Sequence, residues 1–280
     1  MAKRRKKGRI RNLILAQLYI LLALAVVVLG LWIYNEYNGT KGIEDLQEMS
    51  QEAVVTPTPT LPVYREEKPV PTPIPTPEVM LQYKELHDTN SDMVGWLTIP
   101  DTPIDYPVMY REGDNDWYLH HNFDGEDDVT GLLVLDKRCD PDGNGVNCLI
   151  HGHNMKSGAM FGSLKKYADK SYYKEHPTIY FNTLYEERIY DIIAVFRSQV
   201  YDENTTSFEF YDYIQIDDEK AFDEYVKGAV TESLYDTGIT ASWGDKLLTL
   251  STCEYTKANG RLVILARERR EQEEPLTEDQ

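Results

Sequence analysis

Basic residues are scarce over most of this 280-residue chain. Of its 29 Lys and Arg, seven lie in the first twelve positions, MAKRRKKGRIRN, which hold no acid. The remainder has 22 Lys and Arg against 47 Asp and Glu, a formal charge of −25. So acidic a body repels phosphates, which argues against a nucleic-acid partner. Cysteine is sparse too. With only Cys139, Cys148 and Cys253, at least one thiol stays unpaired if the chain is exported. Cys139 and Cys148 lie nine apart in a loop-like stretch and are free to form a local disulfide, which sequence leaves open; Cys253 is the odd one out. Proline is thin outside one segment, and no internal repeat is apparent.

Where charge is absent altogether, the run is long. Residues 13–34, LILAQLYILLALAVVVLGLWIY, contain no charged residue and a single Gln. As a helix this spans roughly 33 Å, about one hydrocarbon core. Trp32, Tyr34 and Tyr37 stand at its far end, where interfacial aromatics belong. The cationic block before it should stay cytoplasmic, so the rest of the chain faces outside. A signal peptide has a shorter apolar region and a small-residue cleavage site, whereas WIYNEYNG follows here. An uncleaved anchor is therefore expected. Eight of the 14 prolines fall in residues 56–77, TPTPTLPVYREEKPVPTPIPTP, which favours an extended spacer of up to about 68 Å. The expected organisation is a cytoplasmic segment (1–12), the anchor (13–34), a linker (35–78), a folded domain (79–268) and a charged tail (269–280) expected to fray.

Within the domain, periodicity predicts short strands with few helices. VMLQYKELHDTNSD reads as a helix ending at Asn90 and Ser91, and MVGWLTIP and DYPVMY read as strands. DNDWYLHHN suggests a short helix with Asp114 near its cap. TGLLVLD, VNCLIHG, TIYFN and ERIYDIIAVFRSQV follow as strands. GAMFGSLKKYAD places Met160, Phe161, Leu164 and Tyr167 on one helical face. The clearest helix is DDEKAFDEYVKGAVTESLYDTG, with Phe222, Tyr225, Val226, Ala229, Val230 and Leu234 on its apolar face and Gly238 after its end. DKLLTLSTC and GRLVILARE close the domain. Such a pattern suggests a partly covered β-barrel.

Cys253 falls at the end of an apolar strand. Seven residues, EYTKANG, separate it from Arg261, and Asn259-Gly260 is a tight-turn signal. A hairpin there puts Cys253 and Arg261 on one rim, where a guanidinium lowers a thiol pKa or holds a developing oxyanion. A cysteine nucleophile also needs an acid/base, usually His. His87 and His176 read as surface residues, and His120 and His121 as packed or solvated. His151 and His153, in CLIHGHNMKSGAMF, sit on a turn able to project into a cleft, and on position alone both stay candidates.

These residues resemble the sortases. TLSTC at 249–253 with the downstream Arg261 is similar to the family's Thr-Leu-x-Thr-Cys signature. IHGHNM followed by MFGSLKKYAD resembles the region of its catalytic histidine. GWLTIPDTPIDYPVM, DNDWYLHHNFDG, GLLVLDKR and the long helix near 218–234 resemble class B sortases, so the likeness covers residues 80–268. It implies a mainly β fold, a closed sortase-like barrel of about eight strands with an N-terminal helix and a long helix before the last strands, here preceded by one transmembrane helix. It also implies a cysteine transpeptidase of Gram-positive surfaces that cleaves C-terminal sorting signals of secreted proteins and passes the acyl group to an amine of the cell wall, or in some members to a pilin lysine. Cys253 would be the nucleophile, Arg261 the oxyanion partner and His153 the acid/base. Ser251, Glu254 and His151 match positions lining the peptide site. His151 departs from the family, where class B enzymes often carry Tyr, which bears on substrate preference rather than on the reaction. No metal and no cofactor is expected.

Other chemistries fit less well. Cys139, Cys148, His151 and His153 match no structural-zinc spacing. An L,D-transpeptidase would carry Ser-His-Gly just before its cysteine, and a papain-like protease would place Cys well before His. A non-catalytic surface-binding module explains the anchor and acidity but not the coincidence of His153, Cys253 and Arg261.

Overall fold

The computed structural model describes residues 2–52, 77–200, 207–256, 259–270 and 273. Eight strands form a closed barrel: β1 (Met93–Thr98), β2 (Asp105–Met109), β3 (Leu133–Leu135), β4 (Asn147–His151), β5 (Thr178–Thr183), β6 (Ile189–Gln199), β7 (Leu247–Glu254) and β8 (Gly260–Glu268). Their order around the barrel is β1-β2-β3-β4-β7-β8-β6-β5. The β2–β3 and β4–β7 pairs are parallel and the others antiparallel. Closure explains the near-continuous apolar runs. The middles of the long strands are covered on both faces, so β6 buries Tyr190 through Phe196 and β8 buries Leu262 through Arg267, while Arg197 through Gln199 at the end of β6 are not buried.

Among the described residues four α-helices accompany the barrel: α1 (Ala2–Glu52), α2 (Leu81–Thr89), α3 (Lys170–Glu175) and α4 (Glu219–Glu232). The apolar run lies within α1, where Gln17–Tyr34 has a mean hydropathy of 2.3 and is exposed throughout. The Pro/Thr-rich stretch lies outside the described residues, apart from Pro77.

Several local expectations are corrected. DNDWYLHHN forms only a single 3-10 turn, Trp117–Leu119, preceded by Asp116, and Asp114 accepts the Asp116 N–H instead of capping a helix. GAMFGSLKKYAD is a 3-10 helix, Phe161–Ala168, although its four apolar residues are buried as expected. In α4, Asp218 caps the start through the Ala221 N–H, and Phe222, Tyr225 and Ala229 are buried. The helix stops at Glu232, well before Gly238, and Val230 and Leu234 are 46% and 38% exposed. The cause is the edge of β6. The Val195 N–H donates to the Ser233 hydroxyl, and the Leu234 N–H donates to the Val195 carbonyl, so the chain leaves the helix to pair there. Cys139 and Cys148 are both free and buried, so the local disulfide is not formed. The start of the tail is held rather than frayed: Arg269 pairs with the buried Asp191, and Arg267 and Arg270 with Glu273.

Candidate active site

Cys253 owes its place to the way β7 leaves the core. Leu247 through Thr252 are buried, and Cys253 is the first half-buried residue. Below it, Tyr225 and Thr249 share a hydrogen bond of 2.6 Å, and the Thr249 hydroxyl donates to the Asn147 side chain at 2.9 Å. Tyr225, Thr249 and Asn147 thus satisfy one another, which fixes the strand's height in the barrel. The return strand β8 is antiparallel, with Cys253 directly opposite Arg261. Asn259, in the turn, adopts φ +54°, a left-handed conformation that Asn tolerates better than most residues. Lys257 and Ala258 of the same loop lie outside the described residues.

His153 arrives from the other side. β4 runs parallel to β7 with His151 opposite Ser251, and two residues later the chain reaches the level of Cys253. Three hydrogen bonds tie this turn to β7. The Gly152 N–H donates to the Ser251 carbonyl at 3.2 Å, the Thr252 hydroxyl to the Gly152 carbonyl at 2.7 Å, and the Asn154 amide to the Cys253 carbonyl at 2.7 Å. A side chain at position 152 would put its first carbon 2.6 Å from Leu133 and 2.8 Å from Phe161, so only glycine fits between the two histidines.

The His153 ring is oriented from outside the barrel. Its Nε2 lies 2.7 Å from the Leu119 carbonyl. A carbonyl only accepts, so Nε2 carries hydrogen and Nδ1 is the nitrogen free to exchange a proton. Burial lowers the His153 pKa below 6.5; the Leu119 bond opposes this, and the His120 ring, 5.6 Å away centroid to centroid, adds to it.

Cys253, Arg261 and His153 line one cavity of about 280 Å³, with Leu119, His151 and Ser251 among its other walls. Ser251 is 1% exposed, and among the described residues its hydroxyl has no hydrogen-bond partner. His151 is held through Nε2 by Asp136 at 3.1 Å. Burial alone would raise the Asp136 carboxyl. Arg138, gripping both oxygens at 2.9 Å, outweighs it together with His151 and the Arg138 backbone N–H, and the pKa falls well below the usual carboxylate range. Glu254 sits apart from this cavity and accepts hydrogen bonds from the backbone and hydroxyl of Thr256.

Sequence reasoning missed Leu119, Asn154 and Asp136. Asn154 directly follows the His-Gly-His turn, a readable signal. Leu119 and Asp136 act across 34 and 15 residues of sequence, where no local pattern points to them. Burial raises the Cys148 thiol to about 11 and raises Cys139 as well, as befits thiols packed in the core. Among the described residues no three His, Cys, Asp or Glu are grouped to hold a metal ion. A nucleophilic sulfur, an imidazole and a permanent cation at one rim suffice chemically for acyl transfer.

Comparison with known proteins agrees. The Sortase domain family matches residues 97–269. Sortase B of Listeria monocytogenes is 38% identical over 189 residues, covering 67% of this chain and 74% of the relative. The structure of sortase B from Bacillus anthracis matches with a TM-score of 0.65 and 30% identity, covering 84% of this chain and 98% of that one. A span of that length is too long to lie wholly beyond Glu52, so it reaches into α1. The Staphylococcus aureus sortase B fold matches with a TM-score of 0.68 at 21% identity, over 85% of this chain and all of that one.

Proposed function

Because the chain belongs to the sortase family, as a class B cysteine transpeptidase, we propose that Cys253 is its nucleophile, His153 its acid/base and Arg261 its oxyanion partner. The observation that carries this is the direct pairing of Cys253 with Arg261 on a cavity that His153 also lines. Cys253 Sγ passes its proton to His153 Nδ1 and attacks the carbonyl of a peptide bond in the sorting signal of a secreted protein. The negative charge that develops on that oxygen is met by the Arg261 guanidinium. His153 protonates the leaving amine, and a thioester joins Cys253 to the peptide. An amine of the cell wall then attacks the thioester, His153 Nδ1 takes its proton and returns it to the departing Sγ, and Cys253 is released as the thiol.

Ser251 and His151 would contact the bound peptide. The unpartnered Ser251 hydroxyl supports this, since a peptide amide or carbonyl would satisfy it. Glu254, by its placement, would act on the loop beside the groove. Residues 79–268 form the catalytic domain, and the apolar run of α1 anchors it in the cell membrane with the domain outside.

A peptide-library cleavage assay with and without an added amine tests the reading. The expected result is cleavage at one motif, capture of the product by the amine, and loss of both in Cys253→Ala. Full activity in that variant would end the proposal.

A further inference from the structure

The anchor helix does not stop where its apolar run stops. α1 continues unbroken to Glu52, and along that continuation Gly39, Ile43, Leu46 and Met49 recur at the spacing of one helical face. Gly39 is buried, Ile43 and Leu46 are each 8% exposed, and Met49 packs against the core. The face they meet is made by Leu86 of α2, the start of β2 and the loop that follows Leu119. The Gln47 amide donates to the Asp105 carbonyl at 2.6 Å. A side chain at position 39 would bring its first carbon to 2.9 Å from both the Asp128 carboxylate and the Thr130 hydroxyl, so the helix lies directly against these two side chains of the loop.

We propose that this contact, rather than the Pro/Thr-rich segment, sets the distance of the catalytic domain from the membrane. The proposal rests on the reading of the apolar run as a membrane span. Gly39 lies five residues beyond Tyr34, about 7.5 Å along a helix, which is roughly the thickness of one headgroup layer. A spacer of the Pro/Thr composition would allow up to about 68 Å. With residues 39–49 docked, the shorter distance governs: the domain rests on the headgroup layer, and the Pro/Thr-rich segment bridges two points already held together. The docking face shares its loop with the catalytic rim. His120 lines the seam against α1, while Leu119 beside it holds His153. The anchor therefore orients the active site, not only the domain.

The full chain in lipid nanodiscs tests this. Cys253→Ala leaves only the buried Cys139 and Cys148, so a dye on Lys84→Cys reports energy transfer to acceptors in the headgroups. Removing or duplicating residues 57–62 should leave the transfer unchanged. In a Gly39→Leu/Ile43→Asp/Leu46→Asp variant, transfer should drop and then follow segment length, by up to roughly 19 Å for six residues. Transfer that follows segment length with α1 intact overturns the proposal. Hydrogen exchange supplies a second readout: amides 43–49 should exchange more slowly in the unaltered chain than in the triple variant, and equal rates refute docking. Alkaline extraction of the membrane fraction isolates the premise, because release of the chain there removes the span itself and the proposal with it.

Discussion

Arg261 faces Cys253 across one antiparallel pair, and its Nη1 donates to its neighbour's carbonyl, Gly260, at 3.0 Å. The role proposed for it depends on a planar fork of donors, which Lys lacks. Arg261→Lys should therefore lower kcat for peptide cleavage by about 10²–10³, the scale of losing one oxyanion donor. Near-normal turnover would show that a diffuse positive charge suffices. His153 makes a separate prediction. Burial disfavours its charged form, so the ring stays neutral below the pH at which a free imidazole takes up a proton. Its titration midpoint, read by NMR, should lie below 6.5, and His120→Ala should move it upward by removing a neighbouring charge. The contribution of His153 to stability is full above about 6.5 and declines as pH falls toward the lowered native value, because the unfolded chain binds the proton first. Cys253 and Arg261 were legible as a pair from the turn signal between them. Leu119 was not, since its carbonyl reaches His153 only once a distant turn folds over the barrel rim.

At the scale of elements, α4 shows what decides a helix boundary. The apolar periodicity of its sequence runs on to Leu234, yet β6 captures the chain at Ser233 and ends the helix. Phe222, fully buried against the barrel, should lower the unfolding free energy by about 3–5 kcal/mol on replacement by Ala, measured by urea denaturation. Val230→Ser, on the exposed side, should stay within about 0.5 kcal/mol. The reverse ranking would contradict the observed packing. Strands were read more faithfully than helix types. A period of two or a short buried run survives in any sheet, whereas the 3-10 geometry of Phe161–Ala168 depends on how that segment is wedged beside the His-Gly-His turn.

For the whole molecule, closure of the barrel relies on the residues just beyond β8. Arg269 joins Asp191 of β6, whose side chain is only 4% exposed, and its guanidinium also reaches the Thr178 hydroxyl of β5. Removing the guanidinium leaves a buried carboxylate with little compensation. Arg269→Ala should cost about 3 kcal/mol or more in thermal or urea unfolding, and adding Asp191→Ala should restore part of that loss. An unchanged stability in Arg269→Ala would mean that solvent reaches Asp191 after all.

Sequence by itself determined the chemistry and much of the fold. The apolar run, the alternating strands, the Asn-Gly turn and the ordered motifs from Gly95 to Arg261 each act within a few residues, so each left a readable local signal. Only the tertiary structure decided the rest. It brought the Leu119 carbonyl and Asp136 to the two histidines, ended α4 at the edge of β6, left Cys139 and Cys148 unpaired, and laid the far end of α1 against the domain. Those outcomes are contacts between segments far apart in the chain. They depend on which surfaces closure of the barrel leaves facing one another, and local periodicity carries no record of that.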